Sequence, residues 1–284
     1  MTHTVFVAGP VAWNYIVDLD ALPQPVPHME FVRSHRWTVG GTSAGKALNL
    51  RSLGLSVTLR TVVGRDEAAD RVLSVLQDAG VDLLTEVASA GSTEQHLNLM
   101  DPRGGRVSLY LGTPHFEPSD ARLDAEAEEA MLAADAVVVD LSEPARPFLA
   151  KARSAGRPVW CDLHDYNGTS AFHTEFVDTA GYLFLNDDKI ADPAGFAAQR
   201  IAAGARLVVV TRGPAGAIAM GPDAVLHTID AEPVDEVVDT NGAGDAFFAG
   251  YFAAHLRGES IQDCLGSAAH QAARCITVPE IAPR

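Results

Sequence analysis

From residue 125 onward the sequence alternates short apolar runs with helix-length stretches, and this rhythm constrains the fold more than any other feature. A helix expected over 125–134 precedes AVVVDL at 136–141, and one over 147–155 precedes PVWCDL at 158–163. GYLFLN at 181–186 leads into a helix near 194–203, then into RLVVVT at 206–211, and a final helix pair is expected over 246–256 and 261–275. Strands separated by helices predict a mostly parallel central sheet with helices on both faces, an α/β fold. The first half fits this frame, with strands at 4–9 and 56–64 and helices over 44–54 and 66–80, each helix stopped by glycine. Between them, Pro23, Pro25 and Pro27 exclude a helix and favour edge strands and turns, and 96–112 reads as a hairpin turning at 101–105. The whole chain, 1–284, is expected to be a single α/β domain carrying a small β lid formed from about 12–39 and 95–112.

A chain of 284 residues buries a large core without a disulfide or metal staple. Its formal charge of −16 repels phosphate backbones and excludes a nucleic-acid partner, but not a nucleotide held by backbone amides. Three cysteines without a CxxC pair read as reduced thiols, and the ten histidines show no zinc-ligand spacing. The N-terminus has no signal-peptide arrangement and no apolar run approaches about 18 residues, so no membrane partner and a cytoplasmic location are expected.

The stretch NGAGD, 241–245, carries the strongest chemical signal. Small residues placed just before a helix let the backbone approach a ligand, and the first N–H groups of that helix form a ready anion site. Asp245 would repel a resting anion but would serve as a base for a hydroxyl attacking phosphorus. The residues alone leave a second reading open, in which Asp245 only caps the helix. GGTSAGKA, 40–47, comes close to a P-loop, yet Ala47 lacks the hydroxyl that binds Mg²⁺ there.

DTNGAGDAFFAG, 239–250, closely resembles the C-terminal signature of the PfkB (ribokinase-like) kinases, and the resemblance extends over most of the chain. It implies a ribokinase-like fold, with Asp245 as catalytic base and Gly242, Ala243, Gly244 and Asp245 forming an anion hole. Gly40 and Gly41 fall on the family's N-terminal glycine pair, which implies that their backbone packs against the acceptor. Asn14 and Gly45 stand at acceptor-contacting positions where the family often has Asp and Asn. Lys46 either reaches the pocket or sits on a solvated helix face, with the solvated position expected, and Trp13 either stacks on a ring or, as expected, packs at the lid hinge. The run VVVTRGPAGAIAM, 208–220, is similar to the family's nucleotide-side turn, so Thr211, Gly213 and Gly216 are expected near ATP, along with Asn186, Gly242, Gly244 and His270. Lys189 replaces a glutamate that helps organise water around Mg²⁺, leaving Asp188 as a candidate metal neighbour; a monovalent cation is used by some relatives. Asp162, His164 and Asp165 lie at a strand's carboxyl end, where such sheets bind ligands.

These expectations amount to an ATP- and Mg²⁺-dependent kinase acting on a hydroxyl of a sugar or nucleoside, with homodimerisation through the lid as an option. The contrasting expectation is a catalytically weak or inactive relative that only binds a nucleotide or sugar.

Overall fold

The protein is described here by a computed structural model covering residues 2–102, 104–117 and 120–283. In chain order the first half comprises β1 (Thr4–Ala8), β2 (Ala12–Asp18), β3 (Ser34–Gly40), α1 (Thr42–Ser52), β4 (Ser56–Val63), α2 (Glu67–Asp78), β5 (Asp82–Val87), β6 (Ala90–Met100) and β7 (Arg106–His115). There follow α3 (Ala121–Ala133), β8 (Ala136–Val139), α4 (Arg146–Ser154), β9 (Val159–Asp162), α5 (Thr174–Thr179), β10 (Tyr182–Asn186) and α6 (Pro193–Ala202). The chain ends with β11 (Leu207–Thr211), β12 (Ala217–Met220), β13 (Leu226–Ile229), α7 (Ala243–Leu256) and α8 (Ile261–Ile276).

Nine strands form the large sheet in the order β13-β12-β11-β10-β9-β8-β1-β4-β5, parallel from β11 to β5 with β12 and β13 antiparallel at one edge. Alternate residues of one strand enter two separate cores. Val5 and Val7 of β1 pack on the side that holds α1, α7 and α8, whereas Phe6 and Ala8 pack against α3 and α4. Burial on both faces explains why the strands read as unbroken apolar runs rather than as alternating ones.

The second sheet has the order β3-β2-β6-β7, with β2 and β6 parallel and the other pairs antiparallel. Its third strand begins at Ala90, and the intervening Pro23, Pro25 and Pro27 lie in the coil between β2 and β3. Of the turn expected at 101–105, Arg103 lies outside the described residues. The two faces of this sheet differ. Asn14, Arg36, His96 and Asn98 occupy one face, and Asn14, His96 and Asn98 are buried. Tyr15, Trp37, Leu97 and Leu109 occupy the other, where Trp37 and Leu109 remain exposed.

Helix α7 is apolar all round because it lies between the large sheet and α8, burying Ala246 through Ala254. Gly250 permits the close approach: a Cβ there would stand 2.6 Å from the Ser267 carbonyl oxygen and 2.9 Å from Ala268 Cα. Gly266 of α8 has nothing within 4 Å of its would-be Cβ. Gly250→Ala is therefore expected to destabilise the fold by about 1–3 kcal/mol through overpacking. Gly266→Ala is expected to stabilise it by roughly 0.5–1 kcal/mol. Thermal melts of the two variants test this, and equal melting temperatures would show that α7 and α8 have room to separate.

Candidate active site

A parallel sheet brings its strand carboxyl ends to one edge, and the polar residues of this chain gather there. Asp140 immediately follows β8 and Asp162 ends β9; both are buried. The N-terminal halves of α1 and α7 reach the same place, contributing Thr42, Ser43, Gly45 and Lys46 from one and Asp245 from the other.

The structure corrects the expectation for Lys46. Its side chain is 0% exposed, with Nζ 3.0 Å from Asp140 Oδ1, 3.2 Å from Asp245 Oδ1 and 3.4 Å from Asp162 Oδ2. The ammonium also donates to the Thr42 hydroxyl and lies 5.0 Å from the centre of the Phe248 ring. Burying an unpaired ammonium is prohibitive, and here three carboxylates compensate it. Burial by itself lowers the Lys46 pKa, but Asp140, Asp162 and Asp245 together outweigh it and the net shift is upward. Burial likewise raises Asp162, yet His164 and Lys46 reverse the sign and keep it below its ordinary value.

Asp245 presents its two oxygens to different surroundings. Oδ1 accepts the Thr42 hydroxyl at 2.7 Å and the Lys46 ammonium at 3.2 Å. Oδ2 lies over Gly45, where an added Cβ would collide with it and stand 2.9 Å from Asp245 Cγ. Burial raises the Asp245 pKa, and the attraction of Lys46 offsets this only in part.

The loop before α7 holds its shape through backbone geometry. Gly242 caps the helix with φ 82°, a left-handed conformation, and a Cβ there would lie 2.9 Å from the Ile281 carbonyl oxygen. Asp239 accepts the Asn241 amide at 2.8 Å and pairs with Arg36 of the small sheet, which also contacts Asp18 at 2.9 Å. Gly244, in the first turn, is exposed, with nothing within 4 Å of a would-be Cβ. The opening amides of α7 have no intrahelical acceptor and carry the positive end of its dipole.

The glycine pair at 40–41 is set by packing that the sequence did not display. A side chain at Gly40 would overlap the Asn14 amide, and Gly41, at φ 86°, sits 2.8 Å by its would-be Cβ from the Pro10 carbonyl. Asn14 is 3% exposed and Asn98 2%, and Oδ1 of each is buried without a hydrogen-bond partner among the described residues. Both belong to the polar face of the small sheet. Trp13 is partly buried against the core, 5.9 Å from the Arg71 guanidinium.

Of the residues expected near the nucleotide, Asn186, Thr211, Gly213 and Gly216 lie further along the same edge. Thr211 ends β11 and donates to the Leu185 carbonyl at 3.3 Å, while Gly213 and Gly216 turn the chain at φ 52° and 80°. Asn186 ends β10, and its side-chain oxygen accepts the Asp188 amide at 3.1 Å, leaving the Asp188 side chain exposed. Lys189 is held 2.5 Å from Asp165. His270 is exposed on α8, 3.0 Å from Glu232. A shallow cleft of about 420 Å³ is lined by Pro233–Glu236, Val238 and Thr277, ending one residue before Asp239. Among the described residues, no group of three or more His, Cys, Asp or Glu side chains is disposed to hold a metal ion.

Sequence reading passed over Thr42, Asp140, Asn98 and Arg36. Only Asp140 carried a signal, since it ends an apolar strand run as Asp162 does.

The model of the pfkB family of carbohydrate kinases matches residues 14–282. The acarbose 7(IV)-phosphotransferase of Actinoplanes sp. is 31% identical over 98% of this chain and 93% of its own length. The nucleoside kinase of Methanothermobacter thermautotrophicus is 30% identical over 92% and 85%. Among solved structures, the microbiome-derived acarbose kinase Mak1 superposes with TM-score 0.83 at 30% identity, over 98% of this chain and 94% of its own. An Arabidopsis thaliana ribokinase, complexed with ribose and ATP, shares the fold at TM-score 0.79 and 20% identity over 100% and 96%. The chain has the ribokinase-like fold and belongs to the pfkB family, as a phosphotransferase with an alcohol group as acceptor.

Proposed function

We propose that this kinase transfers the γ-phosphoryl group of ATP to a sugar or nucleoside hydroxyl, with Asp245 as general base and the Gly242–Asp245 amides as anion hole. The observation that carries the reading is the division of labour at Asp245. One carboxylate oxygen is held by Thr42 and Lys46, and the other lies over a residue that has no side chain. In this reading Oδ2 takes the proton of the acceptor hydroxyl as it attacks. The opening amides of α7 meet the charge that accumulates on the moving phosphoryl group. The unpartnered Asn14 and Asn98 oxygens offer acceptors to the hydroxyls of the alcohol substrate. The polar face that bears them suits a polyhydroxylated molecule, and the acarbose kinases among the relatives agree with a saccharide.

The nucleotide would run from the α7 amides past Thr211, Gly213 and Gly216, with the cleft along Pro233–Val238 open to its base. Mg²⁺ would supply charge neutralisation between the phosphates and would be held chiefly by them. The three converging carboxylates are already paired with Lys46, which leaves Asp188 as the exposed neighbour on the protein side. The carboxylate beside the loop, Asp239, carries the Arg36 guanidinium and is not open to a monovalent cation. The three cysteines are free and buried, in keeping with a cytoplasmic location, and no helix among the described residues is long and apolar enough to cross a membrane. The exposed Trp37 and Leu109 face fits a second copy of itself, because apolar surface is self-complementary where a chain of charge −16 otherwise repels its like.

Asp245→Asn is expected to retain ATP binding by calorimetry and to lose at least about 10²-fold in turnover on a panel of saccharides and nucleosides. Near-normal turnover would remove Asp245 from its role. A base must be ionised to act, and burial raises this one, so kcat is expected to fall on the acid side at a higher pH than an ordinary carboxylate would give. Trp37→Glu combined with Leu109→Glu is expected to convert a dimer into a monomer in sedimentation experiments; a wild-type monomer would refute the lid contact.

A further inference from the structure

We propose that Lys46 is the positioning residue of the base, fixing Asp245 Oδ1 so that Oδ2 alone is free to receive the acceptor's proton. The proposal rests on the reading of Asp245 as base. Lys46 reaches Oδ1 in two ways, directly at 3.2 Å and through the Thr42 hydroxyl, which accepts from the ammonium and donates to the same oxygen at 2.7 Å. Its side chain is fully buried, so the ammonium is held away from solvent among the carboxylates. The adjacent Gly45 completes the arrangement, since a Cβ at that position would drive Asp245 off its two anchors.

Several charged or titratable groups face this pair. Lys46 comes from α1; Asp140 from the end of β8; Cys161, Asp162 and His164 from the end of β9; and Cys275 from α8. Asp140 and Asp162 compete with Asp245 for one ammonium, so they set how firmly Asp245 is held. Ser43 stabilises the competitor by donating to Asp140 Oδ2 at 2.7 Å. Withdrawing charge from Asp140 therefore tightens the ammonium's hold on Asp245, and withdrawing the ammonium leaves Oδ1 to the Thr42 hydroxyl alone. A lysine that merely neutralised Asp140 and Asp162 would produce neither effect at Asp245.

The test is the acid limb of the kcat–pH profile, with ATP and acceptor saturating, for wild type, Lys46→Met, Asp140→Asn and the charge-balanced double variant. The limb of Lys46→Met is expected to move up by about one pH unit or more, with kcat reduced far more than KM is altered. That of Asp140→Asn is expected to move down, and this shift is expected to vanish when Lys46 is also Met, because it acts through the ammonium. An unmoved limb in folded Lys46→Met, or an Asp140→Asn shift that persists without Lys46, would overturn the proposal. Should Lys46→Met alone fail to fold, the double variant is compared with wild type: its limb is expected to lie above that of wild type because the ammonium is gone, and a limb at or below it would overturn the proposal. An Asp245→Asn enzyme that keeps its turnover sinks the base itself, whereas an inactive Asp245→Asn with unmoved limbs sinks only the role of Lys46.

Discussion

The site depends on one ammonium buried among three carboxylates at the carboxyl edge of a parallel sheet. Parallel pairing delivers Asp140 and Asp162 to that edge, and α7 brings Asp245 to meet them. Without Lys46 these groups would have to be solvated, protonated or moved apart, because unpaired charge in such a place is not tolerated. The cation and the Thr42 hydroxyl both tie α1 to α7 through Asp245. Charge and packing therefore set one geometry together, and the glycine at 45 lets the carboxylate of α7 come close enough to share it.

The fold was legible because its strands are buried on both faces. The central ones, such as β8 and β11, became unbroken apolar runs that could be separated from the intervening helices. The glycine loop was legible for a different reason: a left-handed Gly242 before an apolar helix is a local necessity, and local necessities leave a local mark. Lys46 left none. A lone lysine in a helix is ordinarily solvated, and its burial follows from Asp140 and Asp162, which lie far along the chain and reach it only after the sheet forms. Asn98 was hidden in the same way, as one polar residue on an alternating strand whose inner and outer faces cannot be told apart without the body of the protein beneath. Gly40 and Gly41 stood out as glycines, but the Asn14 amide and Pro10 carbonyl that enforce them are tertiary neighbours.

The small sheet departs from the usual arrangement, burying Asn14, His96 and Asn98 on one face while Trp37 and Leu109 of the other remain exposed. A sheet that served only to cover the core would bury Trp37 and expose Asn14. Keeping Asn14 and Asn98 inside, each with an oxygen unpartnered, costs stability, and function is the usual reason for such a cost.

Arg36 pairs with Asp239, and Thr42 with Asp245, each across 203 positions of sequence. On the ribosome, Arg36 and Thr42 therefore emerge well before the carboxylates they bind. Contacts of such separation form late, after the loop-closure entropy of the long intervening segment has been met. A nascent polypeptide can thus hold much of the sheet while the cluster around Lys46 still lacks its third carboxylate.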